Sequence, residues 1–270
     1  MISFPNAKIN IGLLITGKRP DGYHNLETVF FPVGWSDALE IASSDELSFT
    51  SSGIEIAGPA ESNLVMKAYR LLSEDFELPP LRIHLHKQIP FGAGLGGGSA
   101  DGAFMLRMLS KTFNLDISQE KMIDYAARLG SDCPFFLINQ PVFATGRGEI
   151  MNPVRVSLKG LSLLLVKPPI EVSTASAFRH VVPQEPPVSL QELIQLPVAE
   201  WKGRILNQFE DSVFPQFPAI EAIKAQLYNL GAIYASLSGS GSCVFGLFVD
   251  LPEQIDALFP STYQTFSQQI

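Results

Sequence analysis

Apolar and polar positions alternate from Ala7 to Ile15. Ala7, Ile9, Ile11, Leu13 and Ile15 share one side and Lys8, Asn10 and Gly12 the other, the period-two signature of a β-strand. The turn Arg19-Pro20-Asp21-Gly22 follows, and a second strand is predicted around 27–33, with short strands at 38–41, 47–50 and 53–56. The spacing becomes helical over 63–72, where Leu64, Ala68 and Leu71 fall on one face, and returns to strict alternation in Leu81–Lys87. A glycine-rich loop then leads into a helix from about 99 to 113, and Ser118 is placed to cap a further helix that stops at Gly130. The apolar run 161–166 has the length of a buried strand, and residues 168–197 are rich in proline, as at a domain junction or a mobile segment. A helix over 220–230, closed by Gly231, precedes a strand, glycine turn and strand over 234–249. Strands and helices intermingle with no regular βαβ rhythm and no internal repeat, which predicts an α+β fold rather than a doubly wound sheet.

Composition narrows the function classes. The chain has 270 residues, 46% of them hydrophobic and 17% charged, a globular balance. With 19 Lys+Arg against 27 Asp+Glu its net charge is −8, which argues against nucleic acid or an anionic membrane as a partner but leaves room for a local anion pocket. Residues Met1 to Asn6 lack the charged-then-apolar layout of a secretory signal, and no apolar run approaches the length of about 18 residues that spans a bilayer. Cys133 and Cys243 lie far apart with no CxxC pair, so a reducing, cytoplasmic setting is expected, with both thiols as small buried fillers. His84 and His86 share a strand face without a third and fourth ligand nearby, and are read as structural or solvent-facing.

The strongest chemical signal is Pro90-Phe91-Gly92-Ala93-Gly94-Leu95-Gly96-Gly97-Gly98-Ser99-Ala100, five glycines in eleven residues running straight into a helix. Bare backbone amides together with the positive end of a helix dipole favour an anion, above all a phosphate. The loop lacks the Gly-Lys-Ser/Thr ending of a Walker A motif. It satisfies the dinucleotide pattern literally, but that pattern also needs an acid closing a second strand about twenty residues on, and Asp116 instead lies between two helices.

This loop resembles the phosphate-binding motif of the GHMP kinase superfamily. So do Pro5-Asn6-Ala7-Lys8-Ile9-Asn10-Ile11, Arg19-Pro20-Asp21-Gly22-Tyr23-His24, Leu129-Gly130-Ser131-Asp132-Cys133-Pro134-Phe135 and Leu237-Ser238-Gly239-Ser240-Gly241-Ser242-Cys243-Val244-Phe245. The likeness spans nearly the whole chain. It implies a two-lobed α+β fold with the cleft between the lobes: a ribosomal-protein-S5-like N-terminal ATP-binding lobe over 1–155 and an α+β sandwich over 156–270. It implies transfer of the γ-phosphate of ATP, with Mg2+, to an alcohol. Within the superfamily, Asp-Gly-Tyr-His and the tripled glycine before serine point to the branch acting on a cytidine diphosphate ester in isoprenoid precursor synthesis, working as a monomer or weak homodimer.

Carried over position by position, the resemblance puts Lys8 and Asp132 beside the acceptor hydroxyl, Asp132 to take its proton and Lys8 to hold that carboxylate ionised. Tyr23 and His24 would recognise the cytosine, the ring by stacking and the imidazole by hydrogen bonding. Asn10, Thr174 and Phe178 would line the same pocket, Lys87 and Asn63 would border the nucleotide, and Ser238, Gly239 and Ser240 would close the site near the transferred phosphate. Read without the resemblance, Lys8 is a solvated strand residue, Asp132 a helix cap, Tyr23 core packing, Lys87 a surface charge, Asn63 an N-cap and 238–242 a tight β-turn. One departure stands out. Many relatives carry a second serine where this chain has Ala100, and elsewhere in the superfamily a serine here helps hold Mg2+. Phosphates and water would then carry most of the metal coordination. Asp101 follows in the first helical turn and is expected to point away from the phosphate or to act through the metal. The rivals are a mevalonate- or homoserine-type kinase, and a ligand-binding protein of the same fold without catalysis.

Overall fold

A computed structural model describes every residue from Met1 to Ile270. Along the chain run β1 (Ile2–Ser3), β2 (Asn6–Lys18), β3 (His24–Ser36), β4 (Ala38–Ser43), β5 (Ser48–Gly53), α1 (Leu64–Ser73), β6 (Leu81–Lys87), α2 (Gly97–Thr112), α3 (Gln119–Leu129) and α4 (Cys133–Ile138). The order continues with β7 (Val142–Thr145), β8 (Ile150–Pro153), β9 (Ser162–Lys167), α5 (Thr174–Phe178), α6 (Leu190–Leu193), α7 (Phe209–Gln216), α8 (Pro218–Asn229), β10 (Tyr234–Leu237), β11 (Val244–Phe248), α9 (Ile255–Leu258) and β12 (Gln264–Gln269). The strands form three four-stranded sheets, ordered β1-β4-β6-β5, β2-β3-β7-β8 and β10-β11-β9-β12.

The chain gathers into two compact units that interleave in sequence: Met1–Lys8, Pro32–Phe91 and Gly96–Asn139 make the first, and Ile9–Phe31, Gly92–Leu95 and Gln140–Ile270 the second. In the first unit β4 and β6 pair antiparallel from Ala38↔His86 to Ser43↔Leu81, and β5 runs parallel to β6. Alternate residues Leu81, Ile83 and Leu85 of β6 are buried. α1 packs against α2, and α2 against α3 and α4. Asn63 caps α1 by accepting from the Val65 amide at 2.9 Å, and Ser118 caps α3 through the Lys121 amide at 3.2 Å, as their side-chain chemistry dictates.

In the second unit the hairpin β10–β11 is in register from Tyr234↔Leu247 to Leu237↔Val244, and β9 lies between β11 and β12. The predicted buried strand appears as β9, with every residue inside. Its core joins Leu164 and Val166 to Val213, Ile220, Ile223 and Leu227 of α7 and α8.

Three expectations are corrected. No strand forms over 54–56: Gly53, at φ +79°, ends β5, and the Ile54 amide bonds the Lys87 carbonyl instead. The polar side of β2 is not solvated, since Lys8 is 4% and Asn10 2% exposed. The proline-rich stretch 168–197 is no junction between the compact units; it lies within the second and carries α5 and α6, each capped by a serine. Both cysteines are buried and unbridged, and burial pushes each thiol up to about 12. His84 and His86 sit half-buried on β6, hydrogen-bonded to Thr50 and Ser52.

Candidate active site

In the first unit, β2 delivers Lys8 and the start of α4 delivers Asp132. The Lys8 ammonium stands 3.6 Å from Asp132 Oδ2, with side-chain exposures of 5% and 33%. Asp132 occupies the N-cap position of α4, yet its carboxylate accepts no capping hydrogen bond. It faces the lysine and keeps an open side, which is what a group that must take a proton from a ligand requires. Burial lowers the Lys8 pKa, and the Asp132 charge opposes that shift. The pair sets opposite charges side by side, one of them on a buried ammonium.

The same lysine lies against the end of the glycine loop: a Cβ built on Gly96 would stand 3.2 Å from Lys8 Cε and 2.8 Å from the Phe136 ring. Gly96, at φ +70°, is the N-cap of α2 and has no side chain to satisfy the first-turn amides. Gly97 is required by packing, because a Cβ there would meet Ile89 at 2.8 Å and Lys87 Nζ at 3.0 Å. Gly98 is different. It is helical without a positive φ, and a Cβ on it would meet nothing within 4 Å. Ala100 is fully buried and has no side-chain oxygen.

Lys87 is not a surface charge. It is 1% exposed, and its ammonium donates to Asp37 Oδ2 and, at 2.7 Å, to Asp101 Oδ2. Asp37 Oδ1 also accepts from the amides of Gln88 at 2.6 Å and Ile89 at 2.8 Å. Asp101 points inward to Lys87 rather than toward the loop's amides, and its Oδ1 is buried with no partner. Burial raises its pKa to about 8 against the pull of Lys87, with the Asp37 charge adding to the rise. Asn63 is spent on its cap, and the adjoining Leu64 fits against Gly102 of α2, whose built Cβ would lie 3.1 Å from Leu64 Cβ.

In the second unit, Asn10 Nδ2 donates to Thr28 Oγ1 at 2.8 Å, and Thr28 donates to the Gly12 carbonyl at 2.6 Å. Ser238 accepts from the Asn10 amide at 3.3 Å and donates to the Gly94 carbonyl at 3.0 Å. Gly94, at φ +73°, must be glycine, since a Cβ would stand 1.8 Å from the Ser238 carbonyl oxygen. The amides of Ser242 and Cys243 bond the carbonyls of Gly92 and Ala93, so residues 92–94 dock along the turn between β10 and β11. Buried Asn207 holds that turn by donating from Nδ2 to the carbonyls of Leu237 and Gly239, both at 2.8 Å. Buried Glu210 holds it through the Leu237 amide at 2.9 Å and the Ser236 hydroxyl at 3.1 Å. Ser240 is half-buried at its tip.

His24 and Phe178, far apart in sequence, stack at 4.9 Å with an interplanar angle of 15°, and Phe209 meets Phe178 edge-on at 4.8 Å. Thr174 opens α5, exposed, one turn before Phe178. Tyr23 is 57% exposed and joins none of these; the Arg147 guanidinium lies over its ring at 4.7 Å. Sequence reasoning missed Asp37, Thr28, Asn207 and Glu210. All four are polar residues whose only distinguishing feature is burial, and no local pattern reveals it.

Sequence models of the GHMP kinases match twice, the N terminal domain over residues 63–146 and the C terminal over 190–263. The chain belongs to the GHMP kinases. This GHMP kinase, a small-molecule kinase, is 59% identical over 252 residues to a 4-diphosphocytidyl-2-C-methyl-D-erythritol kinase of Bacteroides fragilis, covering 92% of both chains. It is 57% identical over 252 residues to the kinase of that name from Bacteroides thetaiotaomicron, again with 92% of each chain covered. A crystal structure of a 4-(cytidine 5'-diphospho)-2C-methyl-D-erythritol kinase superposes with a TM-score of 0.81 at 29% identity, over 99% of this GHMP kinase and 98% of that chain.

Proposed function

We propose that this GHMP kinase transfers the γ-phosphoryl group of ATP to the 2-hydroxyl of 4-diphosphocytidyl-2-C-methyl-D-erythritol, giving ADP and the 2-phosphate, in non-mevalonate isoprenoid precursor synthesis. The observation that carries the chemistry is the Lys8–Asp132 pair beside a helix start whose Gly98 has no structural need to be glycine. The names of relatives at 57–59% identity support the substrate.

The loop from Pro90 to Ala100 is suited to a triphosphate: a Cβ at Gly98, in the first turn of α2, would stand in open space, and the first-turn amides have no acceptor within the helix. ATP supplies the activated phosphoryl group. Asp132 accepts the proton of the substrate hydroxyl as that oxygen bonds to phosphorus. Lys8 holds a positive charge beside that carboxylate and offsets charge spread over the moving phosphoryl oxygens. Lys87 and Asn63 border the nucleotide through the chain segments they hold, since their polar groups are engaged by Asp37 and Asp101 and by the Val65 amide. Ser238, Gly239 and Ser240 close on the transferred phosphate, their turn fixed by Asn207 and Glu210. His24, on its Phe178 shelf, reads the cytosine edge, Tyr23 offers an exposed ring to stack on it, and Asn10 and Thr174 contact the rest of the substrate.

Mg2+ would enter with the triphosphate and be held mainly by its oxygens and water. Ala100 supplies no ligand, and the carboxylate of Asp101 is turned inward to Lys87. We assign 1–155 to the nucleotide-binding domain and 156–270 to the C-terminal domain, a boundary supported by the separate family matches over 63–146 and 190–263. We further assign the enzyme to the cytoplasm, as a monomer or weak homodimer engaging neither nucleic acid nor membrane, in keeping with its net charge of −8.

The test is a coupled ADP-release assay with ATP and three acceptors: the cytidine diphosphate ester, mevalonate and homoserine. Turnover confined to the cytidine substrate is the expected result. Turnover of mevalonate or homoserine instead would overturn the substrate assignment, and binding of the cytidine substrate without ADP release would leave a binding protein rather than a kinase.

A further inference from the structure

The buried trio of Asp37, Lys87 and Asp101 has no part in the chemistry above, and its charges are poorly matched to a purely stabilising role. Two carboxyl groups share one ammonium, side-chain exposures are 0%, 1% and 3%, and Asp101 Oδ1 has no partner. Well-packed apolar residues of similar volume serve stability as well or better at such a place, so what the trio contributes is geometry.

Its geometry is specific. Lys87 is the last residue of β6, and Gln88 and Ile89, whose amides Asp37 holds at 2.6 and 2.8 Å, are the first residues of the path into the glycine loop. Asp101 is the fifth residue of α2, one turn past the point where the chain leaves that loop. The ammonium itself lies 3.0 Å from where a Gly97 Cβ would stand, directly against the first residue of the helix, and 5.3 Å from the centre of the Phe91 ring. Both ends of the loop are therefore fastened to one buried cation, and that cation is neutralised from within rather than offered to a ligand.

We propose that Asp101 is a positioning residue for ATP: through Lys87 and Asp37 it ties the first turn of α2 to the end of β6 and so fixes the span of the loop whose amides take the triphosphate. This rests on the reading that the loop binds ATP. Lys87 then acts on the nucleotide through the loop's shape, and a carboxyl group at 101 is needed only as an acceptor for the ammonium.

Asp101→Ala removes the tie while leaving Lys87 paired with Asp37, so the interior keeps a balanced charge and the chain can fold. In Asp101→Asn the carboxamide oxygen still accepts from Nζ. Two measurements decide: calorimetric binding of ATP with Mg2+, and hydrogen exchange of the amides from 91 to 99 in the enzyme without nucleotide. Asp101→Ala should weaken ATP binding by about 10-fold or more, the worth of one charge-assisted hydrogen bond. It should speed exchange in the loop, and leave KM for the acceptor within about 3-fold, a change under 1 kcal/mol. Asp101→Asn should restore both ATP affinity and loop protection. Unchanged ATP affinity in folded Asp101→Ala overturns the proposal, and so does equal damage from Ala and Asn, which would assign the effect to charge. If wild-type enzyme binds no ATP, or binds it undiminished after Gly98→Ala, the failure belongs to the loop reading and removes the proposal with it.

Discussion

Gly98→Ala separates what a residue does for the fold from what it does for a ligand. Gly98 is the second residue of the 16-residue helix α2, its φ is not positive, and a methyl group built on it touches nothing within 4 Å. Alanine in a helix is favoured over glycine by about 0.5–1 kcal/mol, because glycine loses more backbone freedom on folding. With no clash to offset that gain, the variant should unfold about 2 °C higher than wild type, the shift expected of a chain this size for somewhat under 1 kcal/mol. The same methyl would take up open space in the first turn of α2, the turn whose amides are assigned to the triphosphate. Displacing a phosphate oxygen from even one such amide forfeits a charge-assisted hydrogen bond of about 1.5–3 kcal/mol, or roughly 10- to 100-fold in kcat/KM for ATP. Thermal unfolding and steady-state kinetics on one preparation make the assay. A more stable enzyme that has lost ATP affinity is the expected combination. A more stable enzyme with unchanged kcat/KM for ATP would show that no phosphate approaches Gly98, and the triphosphate assignment would fall.

Asp132→Asn and Lys8→Ala should each lower kcat by about 10²–10⁴, the usual worth of a positioned general base, with far-ultraviolet circular dichroism unchanged; near-normal turnover in folded Asp132→Asn would remove it from the mechanism. Gly94→Ala should behave oppositely to Gly98→Ala, losing soluble protein or several degrees of Tm, because its Cβ would stand 1.8 Å from the Ser238 carbonyl at a φ of +73°; a variant as stable as wild type contradicts the docking of 92–94 on that turn. Phe178→Leu removes the shelf under His24 and should raise KM for the cytidine substrate by about 3- to 10-fold, the worth of an aromatic stack, while KM for ATP holds; equal effects on both would count against a role confined to the cytidine. Stability should also carry a pH signature from Asp101. Its pKa lies near 8 in the fold against 3.8 in the unfolded chain, so the folded state keeps a proton that the unfolded state releases, and that contribution, complete below about pH 4, is lost as pH rises toward 8. The denaturation midpoint of Asp101→Asn should therefore gain on wild type between pH 5 and 8, read by urea titration at each pH, and a constant offset would refute the assignment.

Much of the fold is legible in local pattern, and the exceptions share a cause. β6, α1 and α3 appear where alternation, helical spacing and the caps Asn63 and Ser118 put them, because each element's identity is written in its own residues. The missing strand after Gly53 could not be foreseen: alternation continues there, but a Cβ at Gly53 would stand 2.2 Å from the Lys87 carbonyl, a contact made with a segment more than thirty residues away. β12 was invisible for the converse reason. Its sequence, Gln-Thr-Phe-Ser-Gln-Gln, has no apolar alternation, and it is a strand because β9 offers an open edge to pair with.

The candidate site divides along the same line. The glycine loop and the motifs around Lys8 and Asp132 stand out as strings. What separates them from a solvated lysine and a helix cap is that the polar side of β2 is covered and that the Asp132 carboxylate makes no capping hydrogen bond. Period two reports that two sides of a strand differ. It does not report whether the polar side meets water or protein. Asp37, Asn207 and Glu210 carry no string-level mark at all, because their role consists of hydrogen bonds to amides and carbonyls remote in sequence. Residues that would touch the ligands were therefore readable through motifs, while those that hold them in place became visible only with burial. It is on the second group that substitutions should move binding without entering the chemistry.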